Sequence, residues 1–197
     1  MQHDDVNTTR RKFLTVATSV VGGVGAVGVA VPFLGSWNPS AKAKAAGAPV
    51  KVDVSKLDPG SMLVVEWRGK PVYVVRRTQD QLDNLSKLTD KLADPESERP
   101  QQPHYAAGEA RAVNPEYLIV ISLCTHLGCA PKHRPELGAA DLGGDWLGGF
   151  FCPCHGSRFD MAGRVYKGVP APSNLEVPPY RFDGDNVVVI GEDTEVA

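Results

Sequence analysis

Between Phe13 and Ala41 the chain carries no charged residue, and Phe13–Leu34 (FLTVATSVVGGVGAVGVAVPFL) is apolar or small almost throughout. As a helix those residues would extend roughly 33 Å, enough to cross a hydrocarbon core. Gly22, Gly23, Gly25 and Gly28 would weaken a soluble helix, yet glycines are common in spanning helices, where they permit close packing. A cleaved secretory signal is the alternative, and Ala43-Lys44-Ala45 offers it an A-x-A site. The apolar run is long for a signal, so a retained anchor is expected over 13–36. Directly ahead stands Thr9-Arg10-Arg11-Lys12-Phe13-Leu14, whose Arg10 and Arg11 form a twin-arginine pattern, the mark of export after folding. Read only as a basic flank, the same cations set orientation, because Lys42 and Lys44 lie farther from the apolar run on its other side. Either way a tail, 1–12, stays in the cytoplasm and the remainder reaches an oxidising compartment.

Residues 37–52 are rich in Ala, Pro, Gly and Ser, lack apolar periodicity, and read as a flexible hinge or plain spacer. A head over 53–197 follows. Met62–Trp67 and Pro71–Arg76 are β-rich and joined by Arg68-Gly69-Lys70, a hairpin signal. Thr78-x-x-Gln81 resembles a capping box, after which Leu82, Leu85, Leu88 and Leu92 recur at helical spacing until Pro95, the core face of one helix. The stretch from Pro95 to Pro115 is loop. Tyr117–Leu123, Gly148–Cys152 and Asn186–Ile190 are short strand candidates. Many short strands, one modest helix and frequent Gly/Pro turns predict an all-β, antiparallel head. With 21 Lys+Arg against 23 Asp+Glu and no basic run, the chain lacks the clustered cations that a nucleic-acid partner requires.

All four cysteines fall in two boxes, Cys124-Thr125-His126-Leu127-Gly128-Cys129 and Cys152-Pro153-Cys154-His155-Gly156-Ser157. Each box brings two sulfurs and one imidazole to a turn after a strand. Two disulfides would leave both histidines unexplained, and a structural zinc would take four of the six donors. A third arrangement draws one Cys and one His from each box as a ligand set and joins the leftover cysteines. Cys152 and His155, spaced C-x-x-H, can converge on one centre. In the first box Cys124-x-His126 and His126-x-x-Cys129 remain equivalent choices.

C-T-H-L-G-C followed by C-P-C-H-G-S resembles the paired boxes of Rieske proteins, whose [2Fe–2S] cluster has Cys on one iron and two His on the other. Gly168-Val169-Pro170-Ala171-Pro172 is similar to the family's proline loop over the cluster, with Val169 as an extra residue. Asn174-Leu175-Glu176-Val177-Pro178-Pro179-Tyr180 resembles the segment that follows in Rieske subunits of the ubiquinol–cytochrome c reductase family (cytochrome bc type). The likeness covers 117–182 in detail and most of the chain in outline. It implies a base domain with one inserted helix and a smaller cluster-binding subdomain over about 118–173.

The resemblance further implies that Cys124 and Cys152 hold the buried iron, that His126 and His155 hold the outer one, and that Cys129 and Cys154 form a disulfide. Ser157 matches a hydroxyl that hydrogen-bonds a bridging sulfide. Leu127, beside Gly128, matches the apolar tip that shields the cluster and meets a quinone site. Where many members carry a tyrosine bonded to a ligand sulfur, this chain has Phe159, which implies a lower reduction potential. Implied partners are cytochrome b, a c-type cytochrome, ubiquinol and a bacterial inner membrane, in a dimeric, proton-translocating complex, with His155 receiving the quinol proton. The rival reading is the Rieske subunit of another exported oxidoreductase such as arsenite oxidase; a tethered structural zinc domain is a third. His3, His104 and His133 read as surface residues, and Trp67 and Trp146 as packing residues.

Overall fold

In a computed structural model of the chain, residues 7–193 are described. His3, the start of the tail and the last four residues of the head lie outside them. The chain divides into two compact units, Met1–Ala45 and Ala46–Ala197.

The first unit holds helix α1, Thr8–Gly35, long and apolar enough to cross a membrane, with none of its residues buried. It begins before the expected anchor because Asn7 caps it, its side-chain oxygen accepting the Arg10 N–H at 3.0 Å. Arg10 and Arg11 therefore occupy its first turn rather than an extended flank. A second short helix, α2, covers Ala41–Ala46. The expected linker is shorter than 37–52, because Val50–Asp53 is already strand β1. Four residues of alternating burial gave little periodicity to read there, and the strand is fixed by distant pairing of Val50 with Ile190.

The head is built from three antiparallel three-stranded sheets. One takes β1 with β8 (Tyr180–Phe182) and β9 (Val187–Ile190) in the order β1-β9-β8. The second is the meander β2 (Met62–Trp67), β3 (Lys70–Arg76) and β4 (Tyr117–Ile121). Its first hairpin turns on Arg68 and Gly69 alone, both at positive φ (53° and 72°), the geometry that matches strand twist in a two-residue loop. Strand β4 is buried along its whole length and delivers the chain directly into the first Cys/His box. The third sheet joins β5 (Lys132–Arg134), β6 (Gly149–Phe151) and β7 (Arg158–Phe159), and β6 enters the second box.

The expected single helix is two pieces: α3, Gln79–Asp83, with both halves of the Thr78/Gln81 capping box formed, and a 3-10 helix over Ser86–Lys91. Leu82, Leu85 and Leu88 are three apart, a spacing that stays on one face in a 3-10 helix and drifts off it in an α-helix. Leu85, Leu88 and Leu92 are buried, so the core face is retained. A satellite core of Ala139, Leu142 and Trp146 packs on Phe151 and Tyr166 beneath the excursion between β5 and β6.

Candidate metal centre

Both boxes fold into the same turn. In the first, the Cys124 N–H donates to the Cys129 carbonyl at 2.8 Å and the Cys124 carbonyl accepts the Gly128 N–H at 2.8 Å. In the second, the Cys152 N–H donates to the Ser157 carbonyl at 2.8 Å and the Cys152 carbonyl accepts the Gly156 N–H at 2.9 Å. Each turn closes on a glycine of positive φ, 79° at Gly128 and 78° at Gly156, where a side chain would strain the backbone. Cys129 and Cys154 are joined by a disulfide that clasps the two turns together.

The clasp leaves two free thiols, Cys124 and Cys152, both buried. Burial pushes the Cys124 thiol up, and Cys152 beside it pushes the same way; the His126 backbone N–H and the Ser157 hydroxyl favour the thiolate. Outside the thiols, the His126 and His155 rings meet edge to face with centroids 4.7 Å apart. His155 is exposed, while the buried Nδ1 of His126 has no hydrogen-bond partner. Such an orphaned nitrogen, two buried thiols side by side and a second imidazole form a donor set of two sulfurs and two nitrogens with one unmet demand, which metal ligation satisfies. The sulfurs of Cys129, Cys152 and Cys154 also lie within 4.8 Å of one another, but two of these three are spent in the disulfide and offer no thiolate.

Supporting contacts converge on these turns. Ser157, fully buried, accepts the Ala171 N–H on its Oγ at 3.0 Å and thereby fixes the loop Gly168–Pro172. The Thr125 hydroxyl donates to the Ser173 carbonyl at 2.7 Å, tying the first box to the residue that follows this loop. Pro170 is exposed, and Leu127 projects with 71% of its surface accessible. Phe159 is wholly buried opposite Phe150.

Two supports carried no readable sequence signal. The Tyr73 hydroxyl donates to the Pro131 carbonyl at 2.8 Å, bracing the exit of the first box from β3. His133, expected at the surface, is half-buried: it lies in β5 with its ring 5.5 Å from that of Phe150, its Nε2 is buried without a partner, and burial holds its pKa below the usual imidazole value. A three-residue strand is too short for alternation to announce it. His104 is exposed, and Trp67 and Trp146 are buried packing residues, as expected.

A small antiparallel β-domain that presents two clasped Cys/His turns is the architecture of a Rieske iron–sulfur protein. The Rieske [2Fe-2S] domain family matches residues 48–180, and residues 1–40 match the ubiquinol–cytochrome c reductase Fe-S subunit TAT signal. The chain is 58% identical over 193 residues to the ubiquinol-cytochrome c reductase iron-sulfur subunit of Allochromatium vinosum, covering 98% of this chain and 93% of that one. It is 44% identical to the subunit of the same name from Blastochloris viridis, over 95% and 96% of the two chains, and 42% identical to that of Bradyrhizobium diazoefficiens, over 93% and 94%. The chain belongs to the Rieske [2Fe–2S] family, among the iron–sulfur subunits of ubiquinol–cytochrome c reductase. Its cofactor is accordingly one [2Fe–2S] cluster, and the donors in the two turns fit it.

Proposed function

We propose that the chain takes one electron and one proton from ubiquinol at a cytochrome b site and hands the electron to a c-type cytochrome. The observation that carries this reading is the arrangement of the boxes: both free thiols are buried, while His155 and Leu127 are exposed. Cys124 and Cys152 would hold one iron and His126 and His155 the other. Once bound, the cluster supplies a one-electron acceptor whose two neutral imidazole ligands raise its potential into the range of quinol oxidation. His155 accepts the quinol hydroxyl as a hydrogen-bond donor on its free ring nitrogen and takes the proton there. Leu127 and Gly128 form the apolar lip that closes against the quinone site and excludes water, and Pro170 lines the same concavity as His155. The cluster-binding part is the segment 118–173.

Orientation follows from Arg10, Arg11 and Lys12: the tail is cytoplasmic, the anchor α1 spans the inner membrane once, and the head is periplasmic. The parent complex is a proton-translocating dimer. A test uses the full chain in membranes that contain the assembled complex. Two irons and two acid-labile sulfides per chain, with a mixed Cys/His EPR signature that a quinone-site inhibitor alters, are the expected results. Stoichiometric zinc, or a spectrum indifferent to the inhibitor, would overturn the quinol reading.

Two expectations accompany it. Phe159→Tyr restores a hydroxyl within the core next to the second box; one hydrogen bond to a ligand sulfur is worth about 1–1.5 kcal/mol. That corresponds to a rise of roughly 45–65 mV in a one-electron titration, and an unchanged midpoint would remove the argument. The segment between α2 and β1 acts as the hinge over which the head moves between partners. Gly47→Pro with Ala48→Pro creates a three-proline run ahead of Val50, stiff in the extended polyproline form. Turnover is expected to fall several-fold with the EPR spectrum intact, and unchanged turnover would make the segment a spacer.

A further inference from the structure

Three arginines are buried around the turn that follows β7: Arg77 at 2% exposure, Arg111 at 0% and Arg164 at 1%. Arg164 has a partner, the fully buried Asp160, at 2.8 Å, with the half-exposed Glu109 at 3.9 Å. Arg77 and Arg111 are held differently. Arg77 donates to the carbonyls of Pro115, Ala110 and Met161, at 2.8 to 3.0 Å. Arg111 donates to the carbonyls of Ala162, Gly163, Gln101 and Leu175 and to the Gln102 side chain. Among the described residues neither has a carboxylate within ion-pair distance. Asp160, already paired with Arg164, attracts both guanidiniums at longer range, and the buried Asp94, which accepts the N–H groups of Glu98 and Arg99, attracts Arg111 less strongly. Burial lowers both guanidiniums to about 10, so both remain cations at neutral pH.

Unpaired charges in a dry interior act over distance, because neither water nor salt screens them well. These two bracket the turn Asp160–Arg164. Ser157, which hydrogen-bonds the Cys124 thiol, stands only three residues before Asp160. The Cβ position of Gly163 is 3.3 Å from Arg111 Nη1 and 3.5 Å from Val120, and β4 then leads in four residues to Cys124. Since a residue spans at most about 3.5 Å, both routes keep the guanidiniums within roughly 20 Å of the thiols.

We infer that Arg77 and Arg111 are electrostatic positioning residues that favour the reduced state of the metal centre, raising its potential from behind. The inference rests on the ligand set proposed above. Reduction adds one negative charge, and each cation at that range favours the charged product roughly three- to tenfold. For a one-electron couple this is about 30–60 mV. Asp160, the buried anion of the group, works in the opposite sense.

The test is a redox titration followed by EPR on the full chain in its assembled complex, with iron and sulfide assayed on the same samples. Arg77→Gln is expected to lower the midpoint by about 30–60 mV, the equivalent of three- to tenfold. Arg77→Lys keeps the charge while losing the fork, and is expected to shift the midpoint by less than a third of that. Asp160→Asn is expected to raise it, because it removes negative charge. A shift in Arg77→Lys equal to that in Arg77→Gln would make the arginine a structural brace and overturn the inference, as would a folded Arg77→Gln with no shift. If Arg77→Gln fails to fold, Asp160→Asn decides: a rise supports the inference and an unchanged or lower midpoint overturns it. Loss of iron from the unmodified chain would instead sink the ligand assignment, so the two failures are distinguishable.

Discussion

Cys152→Ser is expected to leave the full chain without iron, without acid-labile sulfide and without a reduced EPR signal. The thiolate is the soft donor that holds iron, and a serine hydroxyl stays protonated at neutral pH. The paired variant Cys129→Ser with Cys154→Ser is expected to behave differently. It removes the clasp across a sequence separation of 25, worth about 3.5 kcal/mol by loop closure, but leaves Cys124, His126, Cys152 and His155 in place. Iron should be retained at low temperature, with a thermal midpoint several degrees lower. The contrast matters because the sulfurs of Cys129, Cys152 and Cys154 are all within 4.8 Å of one another. Iron and sulfide assays on both proteins check it. Iron retained in Cys152→Ser, or lost completely from a folded double variant, would place a disulfide cysteine among the ligands.

The two boxes were legible because their chemistry is local: within each box two cysteines and one histidine lie within six residues and cannot be dispersed by any fold. What residue spacing left open, whether Cys124 or Cys129 partners His126, depends on which sulfur the turn directs inward. That direction is set by the Cys124 to Gly128 and Cys129 backbone bonds, which have no side-chain signature. The hairpin at Arg68-Gly69 was readable for the same local reason. Strand β1 was not, since its four residues owe their conformation to β9 at the far end of the chain. The leucine stripe revealed a buried face but not its helix type, because the steps from Leu82 to Leu88 are three residues and the step from Leu88 to Leu92 is four. Nothing in the sequence pattern singles out Arg77 and Arg111, and their burial depends on main-chain carbonyls of Met161, Ala162 and Gly163 that any sequence would supply. Long-range pairing and carbonyl acceptors are thus the two things that pattern alone conceals.

Gly149→Ala is expected to be among the most damaging single substitutions outside the ligands. Gly149 opens β6 at φ 152°, and a Cβ there would collide with the Phe159 carbonyl oxygen and stand 2.9 Å from the Asp160 Cα. Both are backbone atoms, so no rotamer change relieves the contact, and β6 must separate from β7. That pairing, Phe150 with Phe159 and Phe151 with Arg158, fixes the distance between the strand entering the second box and the strand leaving it. A forced separation therefore opens the box that carries Cys152 and His155. The expected cost is at least about 3 kcal/mol, in the range reserved for broken cores and backbone clashes. Gly184→Ala is the comparison: its φ of 73° imposes only the milder left-handed strain, and no atom lies within 4 Å of the added carbon. It is expected to cost only about 1 kcal/mol. Thermal melts of the full chain in detergent, with iron content followed alongside, separate the two. If Gly149→Ala melts no earlier than Gly184→Ala, the close approach of β6 to β7 does not hold the second box, and its geometry must be carried by the disulfide and Ser157.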